Sequence, residues 1–383
     1  MTSQTASIAD ARSNAGPNLR QVEPNDGEAI HALLAANIPG ILEDRGRWLR
    51  RWQWQHWENP FRGDRPAGWV LTDGDRIVGH LGAVYVPFRT GSHEATAVIC
   101  ADYAVSHDAL ARGGVFAGLQ LAQAFFEAAG DCIPMATTAN DKTAAVFTRF
   151  GCSAVPWTRE FWRAPATVAQ QIRSCRGATS RVIRGLLRQP GGRTLAAIAS
   201  QLYRATRRQP LIPLPPDCRI ETTTPRLACD LSLLADQVAL QQPNVVGLWR
   251  SADYLYWRYS LHPERANLRV LMIRRDDGPA VAAAILFIED RGPKRITFVE
   301  DLIAPADRPD TVRSLLCAAL RLASDQHADF LVTTTGRQNL RGLYWELGFE
   351  SRARTAPATV IRHAPNEPSV LEATLEFWHG VMF

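Results

Sequence analysis

Between Ala101 and Val115 the chain reads ADYAVSHDALARGGV, an apolar run that passes into a basic, glycine-bearing segment. Arg112, Gly113, Gly114 and Val115 lead into a helical pattern over about residues 115–129. A helix start offers free N–H groups and a partial positive charge. Glycine has no Cβ and lets the main chain come close, while Arg112 adds a full charge. Such an arrangement suits a diphosphate. The same residues also fit an ordinary glycine turn before a helix. Proton-transfer chemistry has candidates nearby. Asp102 stands three residues before Val105, and a carboxylate beside an apolar strand can have a raised pKa and act as a base. His80, on the preceding strand, is a second candidate. Each has a plainer reading, Asp102 as a structural hydrogen-bond partner and His80 as a packed strand residue.

These groups need elements to hold them. The pattern gives a strand over 18–23, a helix over 25–36 capped by Asn25 or Asp26, and a tryptophan-rich stretch over 48–57. Strands follow over 68–72 and 76–87 across an Asp73-Gly74-Asp75 turn, then over 95–105. After the helix over 115–129 come a strand over 132–138, a helix over 141–150 closed by Gly151, and a last strand over 153–163. The second half repeats this order. Trp54 aligns with Trp257, Pro60 with Pro263, Asp102 with Asp301 and Gly151 with Gly348, at nearly constant offset. The stretch over 304–312 (APADRPDTV), which matches the basic loop, has no glycine.

This order resembles that of the GNAT (Gcn5-related N-acetyltransferase) superfamily. The resemblance rests on Ala101–Gly114 and on Asn140–Gly151 (NDKTAAVFTRFG), and in the second half on Asn339–Phe349 (NLRGLYWELGF). It implies an α+β fold of two tandem GNAT-like domains, each with a mixed, mostly antiparallel sheet flanked by helices. It implies direct acyl transfer from acetyl-coenzyme A to an amine, with no acyl-enzyme. Residues 100–105 would then offer main-chain N–H groups to the acyl carbonyl. Ala104, Val105, Arg112, Gly113, Gly114, Val115, Asn140 and Phe147 map onto the cofactor-binding positions, and Asp102 and His80 onto the base. Leu110 stands where the family loop carries Arg or Gln. Phe147 stands where the family has an acidic Tyr, so the leaving thiolate would take its proton from water or from Tyr103 or Cys100. In the second half that place is Tyr344. Coenzyme A is expected in the first domain alone, and the rival reading is a non-catalytic coenzyme A-binding or scaffold protein.

Composition bounds the rest. With 46% hydrophobic and 21% charged residues among 383, the chain can bury real cores. Residues 1–17 read as a disordered start without a secretory signal, 18–164 and 217–383 as the two domains, and 165–216 as an arginine-rich helical linker free of Asp and Glu. The linker reads as a solvated connector; it could instead lie on an anionic membrane. Seven scattered cysteines suggest neither a disulfide framework nor a metal site, and point to a cytoplasmic setting. No motif supports nucleic acid as a partner; the expected partner is a small-molecule amine. Trp48, Trp52, Trp54 and Trp57 could stack on an acceptor or pack between the halves, and the recurrence of Trp54 as Trp257 favours packing.

Overall fold

Short β-branched and aromatic runs, punctuated by Gly and Asp turns, build the sheets on which everything else is hung. The structure is a computed structural model that describes residues 17–37, 44–90, 93–111, 115–137, 139–154, 160–165, 218–223, 228–241, 246–275, 278–291, 294–305, 307–334, 340–353, 360–362 and 375–376. The arginine-rich linker over 165–216 lies almost wholly outside these residues.

In the first half, β1 (Asn18–Gln21) precedes a 3₁₀ turn and α1 (Gly27–Asn37). Helix α2 (Arg45–His56) is capped by Asp44, whose carboxylate accepts from Arg47 N at 2.9 Å. Then come β2 (Gly68–Asp73), β3 (Arg76–Thr90), β4 (His93–Val105), α3 (His107–Ala111), α4 (Val115–Ala128), β5 (Ile133–Ala136), α5 (Asp141–Arg149), β6 (Cys152–Ala154) and β7 (Glu160–Pro165). The second half runs β8 (Cys218–Thr223), α6 (Ala228–Leu240), β9 (Val246–Leu248), α7 (Ala252–Leu255), β10 (Leu268–Arg275), β11 (Ala280–Arg291) and β12 (Lys294–Ile303). It ends with α8 (Pro309–Asp325), β13 (Phe330–Thr334), α9 (Arg341–Glu346), β14 (Glu350–Ala353), β15 (Val360–Arg362) and β16 (Leu375–Glu376). Gly151 and Gly348 follow α5 and α9 at φ 82° and 79°, the left-handed closure their sequence positions imply. The cap expected at Asn25 or Asp26 is different in kind. The Asp26 carboxylate accepts from Glu23 N and from the Arg20 guanidinium, which fixes the 3₁₀ turn ahead of α1.

The sheets exchange strands. The first has the order β1-β2-β3-β4-β5-β15-β6, and the second β14-β7-β13-β12-β11-β10-β8. The expected last strand over 153–163 is therefore two strands. Only β6 stays in the first sheet; β7 crosses and lies antiparallel between β13 and β14. In return β15 sits between β5 and β6, and β9 pairs with the end of β3 at Phe88–Thr90.

One face of the first sheet packs Trp69, Leu81, Tyr85 and Val98 against Leu121 and Phe125 of α4 and Phe147 of α5. The other face is divided. Near β2 it meets α1 and α2 through Val70, Ile30, Leu34, Trp48 and Trp52. Further along, Val84, Val86, Phe88 and Ile99 join Tyr254, Trp257, Ile285 and Phe287 in one core that spans both halves. At its centre the Trp54 and Trp257 rings stack at 4.9 Å, and each indole N–H donates to the other residue's carbonyl, at 3.2 and 3.4 Å. Trp48, Trp52 and Trp54 are all buried, which removes them as stacking platforms for an acceptor.

Candidate active site

Strand β4 separates from its parallel neighbour halfway along. Pairing with β5 covers Ala97–Ile99 against Ile133–Met135 and stops there, although β4 continues to Val105. On its other side β4 stays paired to β3, but the register slips between His80↔Ala104 and Gly82↔Ala101. One extra residue of β4 is thus accommodated as a bulge. Asp102 sits in that bulge at φ 51°, a conformation rare for a residue with a side chain. A strand edge freed of one partner and kinked by a bulge presents main-chain N–H groups to the cleft it opens.

The three proton-handling candidates meet at the bulge in an unexpected way. His80 Nδ1 lies 3.0 Å from the main-chain carbonyl of Asp102, not from its carboxylate. Burial pushes the Asp102 carboxyl up to about 6, and no cation among the described residues offsets it. A largely desolvated carboxylate without a counter-charge is a proton acceptor tuned toward neutrality. His80 is fully buried, and that burial holds its imidazole down at about 4, against the small opposing pulls of the Asp102 carbonyl and Asp26. It is neutral at physiological pH and a weak base. Tyr103, half-buried, donates its hydroxyl to the Gly118 carbonyl of α4 at 2.7 Å, and burial raises its pKa. A Cβ at Gly118 would lie 2.9 Å from that hydroxyl, so a larger residue there would displace the Tyr103 tip. The Cys100 thiol is also pushed up, by burial first and then by Asp102 and Cys152.

The cofactor-binding expectations divide. Ala104 and Val105 end β4. The stretch after them is more ordered than a plain loop. Ser106 caps a helical turn, its Oγ accepting from Ala109 N at 3.2 Å, and α3 carries the chain to Ala111. Arg112, Gly113 and Gly114 lie outside the described residues, and α4 begins directly after them at Val115. Asn140 is the N-cap of α5, its side chain accepting from Thr143 N at 2.9 Å. Phe147 corrects the expectation set for it. Its ring is wholly buried against Phe125 and Phe126, where it builds core. Tyr344 of α9 is equally buried, packed on Phe349.

Sequence reasoning missed His56. It closes α2 and is buried, with its Cε1 and that of His80 pressed toward Gly82. Twenty-four residues separate the two histidines in the chain, and the tryptophans beside His56 masked it. Among the described residues no group of three or more His, Cys, Asp or Glu could hold a metal ion. No helix of the described residues is long and apolar enough to cross a membrane.

The second half repeats the splay without the chemistry. Strand β12 pairs with β13 over Ile296–Phe298 and runs on past it to Ile303, still paired to β11, with a register shift beside Asp301. There the carboxylate of Asp301 takes two nitrogens of Arg250 at 2.7–3.0 Å, the Tyr259 hydroxyl at 3.4 Å and the Leu302 N–H at 2.9 Å. Helix α8 starts with Pro309.

No protein-family model and no curated protein matches the sequence. Solved structures do match the fold. A GCN5-related N-acetyltransferase from Anabaena variabilis superposes with TM-score 0.55 at 12% identity, over 90% of this chain and 72% of that one. A conserved protein of unknown function from Enterococcus faecalis, a probable N-acyltransferase, gives 0.54 at 9% over 91% and 73%. A GCN5-related N-acetyltransferase from Kribbella flavida gives 0.51 at 15% over 90% and 71%. At such identities the likeness is one of fold.

Proposed function

We propose that this chain, which has the fold of the GCN5-related N-acetyltransferases, moves an acetyl or similar acyl group from coenzyme A to an amine of a small molecule. The observation that carries this reading is the junction at β4: a strand released from its neighbour after Ile99, bulged at Asp102, and leading through a Gly-Gly segment to the start of α4. The residues present fit the co-substrate. The free edge of residues 100–105 offers main-chain donors, and the N-terminal turn of α4 with Arg112 suits a diphosphate. Coenzyme A, when bound, supplies the acyl thioester.

The chain's own residues would then do three things. The unpaired N–H groups of the bulged strand polarise an acyl carbonyl without having to reorganise. Asp102 accepts the proton that the acceptor ammonium must lose before its nitrogen can attack. Tyr103, whose hydroxyl hydrogen is already directed at Gly118, holds β4 to α4 so that the base and the helix start keep a fixed separation. The acid on α5 that the family resemblance implies is replaced by Phe147, so the leaving thiolate takes its proton from water.

The test is binding and turnover with acetyl-coenzyme A. The melting temperature of the intact chain should rise with millimolar acetyl-coenzyme A, and Gly114→Glu should abolish the rise by placing a carboxylate against the diphosphate. Release of free coenzyme A thiol should follow when a panel of primary amines is added. Stabilisation without thiol release would favour the binding-protein reading that Phe147 suggests; no stabilisation would end both.

A further inference from the structure

We propose that Glu264 and Glu289 of the second half position helix α2 over the strand pair that carries the β4 bulge, which makes the second half part of the catalytic unit of the first. They are positioning residues for the acyl transfer, and to that extent the inference rests on the function proposed above.

Helix α2 has two working faces. At the helical repeat, Arg47, Arg51 and Trp54 form one stripe and Trp48, Trp52 and His56 another. The second stripe serves the first half. Trp48 and Trp52 share a core with Val70, Ile77 and Ala104. His56 Nδ1 lies 3.2 Å from the Ala83 carbonyl, and its Cε1 would be 3.0 Å from a Cβ on Gly82. Gly82 pairs with Ala101, the residue before Asp102. The end of α2 therefore rests on β3 where the bulge begins. The first stripe belongs to the second half. Arg47 donates through Nε and Nη2 to the Glu264 carboxylate, the latter at 2.7 Å, and Nη2 also reaches Glu289 at 3.1 Å. Arg51 Nη2 donates to Glu264 at 2.5 Å and lies 3.5 Å from Glu289. Arg291 donates to the other oxygen of Glu289 at 2.6 Å. The side chains of Arg51 and Glu289 are 9% and 2% exposed. Burial pushes the Glu264 carboxyl up, but Arg47 and Arg51 hold it below its ordinary value, so it stays charged. One turn on, Trp54 stacks on Trp257, and Arg258, bonded to Glu300 at 3.1 Å, lies over the Trp54 ring.

A ring stack and an ion cluster constrain a helix differently. Apolar contact is non-directional, and a helix held by it alone can slide or turn at little cost. A two-pronged contact between guanidinium and carboxylate fixes both rotation and height. A buried ion cluster adds little net stability over apolar packing of the same volume, so what it contributes is the one arrangement it enforces. Here that arrangement is the placement of α2 on β3, beside the strand that must hold the base. Catalytic geometry responds to displacements well below one residue step.

The experiment removes the charges and keeps the bulk. In the intact chain carrying Arg47→Met, Arg51→Met, Glu264→Leu and Glu289→Leu, the cluster becomes apolar, and the Arg291 side chain, 38% exposed, is left to solvent. This variant should melt at or above the wild-type temperature. The main-chain amide resonances of Gly82 and Asp102 should nevertheless shift, and kcat should fall about tenfold with KM for acetyl-coenzyme A unchanged. Unmoved resonances, or an undiminished kcat, overturn the proposal. Glu264→Gln removes one charge and keeps the shape, and it decides the matter if the fourfold variant does not fold. The same two resonances should shift, and their staying in place refutes the positioning role. If the wild type transfers no acyl group, the proposed function fails, while the two resonances still decide whether the cluster sets α2.

Discussion

Asp102 and Asp301 occupy matching places in two halves built alike, each on a strand that has parted from its parallel neighbour, Asp102 in the bulge and Asp301 beside one. Their surroundings are opposite. Asp301 is clasped by Arg250 through both carboxylate oxygens, with Tyr259 and a main-chain N–H completing the shell. Among the described residues no cation answers the charge of Asp102, and burial lifts it to about 6. A carboxylate wrapped in donors holds structure. One left partly desolvated without such donors costs stability, and such costs persist where they serve a function. The half with the bare carboxylate is also the half with the Gly-Gly segment.

The largest effect that could break this contrast is catalytic. Asp102→Asn should lower kcat/KM for acyl transfer by about a thousandfold, roughly 4 kcal/mol of barrier, while Asp301→Asn leaves the rate of folded enzyme within a few-fold. Thiol-release kinetics decide it, and equal losses in both variants would dissolve the distinction. Next comes stability. Asp301→Asn takes the charged partner from the Arg250 guanidinium, and urea denaturation should show a loss of about 3 kcal/mol. The smallest effect has the opposite sign. The folded Asp102 pKa lies above its ordinary value of 3.8. Its favourable contribution is therefore complete below that value and is lost as pH rises through about 6. Asp102→Asn should thus match wild type at pH 4 and be more stable at pH 8, by about 2 kcal/mol after allowance for partial exposure. A variant that gains stability while losing activity marks a site selected for function.

Much of this was legible in the residues, for reasons that differ by position. Gly74, Gly151 and Gly348 announce left-handed turns because only a residue without Cβ adopts them cheaply, and the structure has all three at positive φ. Trp54 and Trp257 recur because a near-symmetric contact needs the same residue from each side. The bulge was not legible. Nothing in ADYAV says that one residue will be left over against β3, since register is set by the partner strand and the core beneath it. The crossing of β7 was hidden for the same cause: the alternation along a strand fixes its faces and not its neighbours. Phe147 invited a reading by motif position, whereas its apolar ring had a simpler claim on the core. The histidine pair depends on α2 lying over β3 at Gly82, a meeting that neither segment encodes alone.

The exchange of β7 and β15 has a consequence for how the molecule can come apart. Each sheet holds, between two of its own strands, a ribbon supplied from the opposite side of the chain's midpoint. A single peptide-bond cut between residues 165 and 218 would therefore free no self-sufficient piece. The two fragments would stay bolted together like interlaced fingers, and either one produced alone would expose an open slot where the other's ribbon belongs.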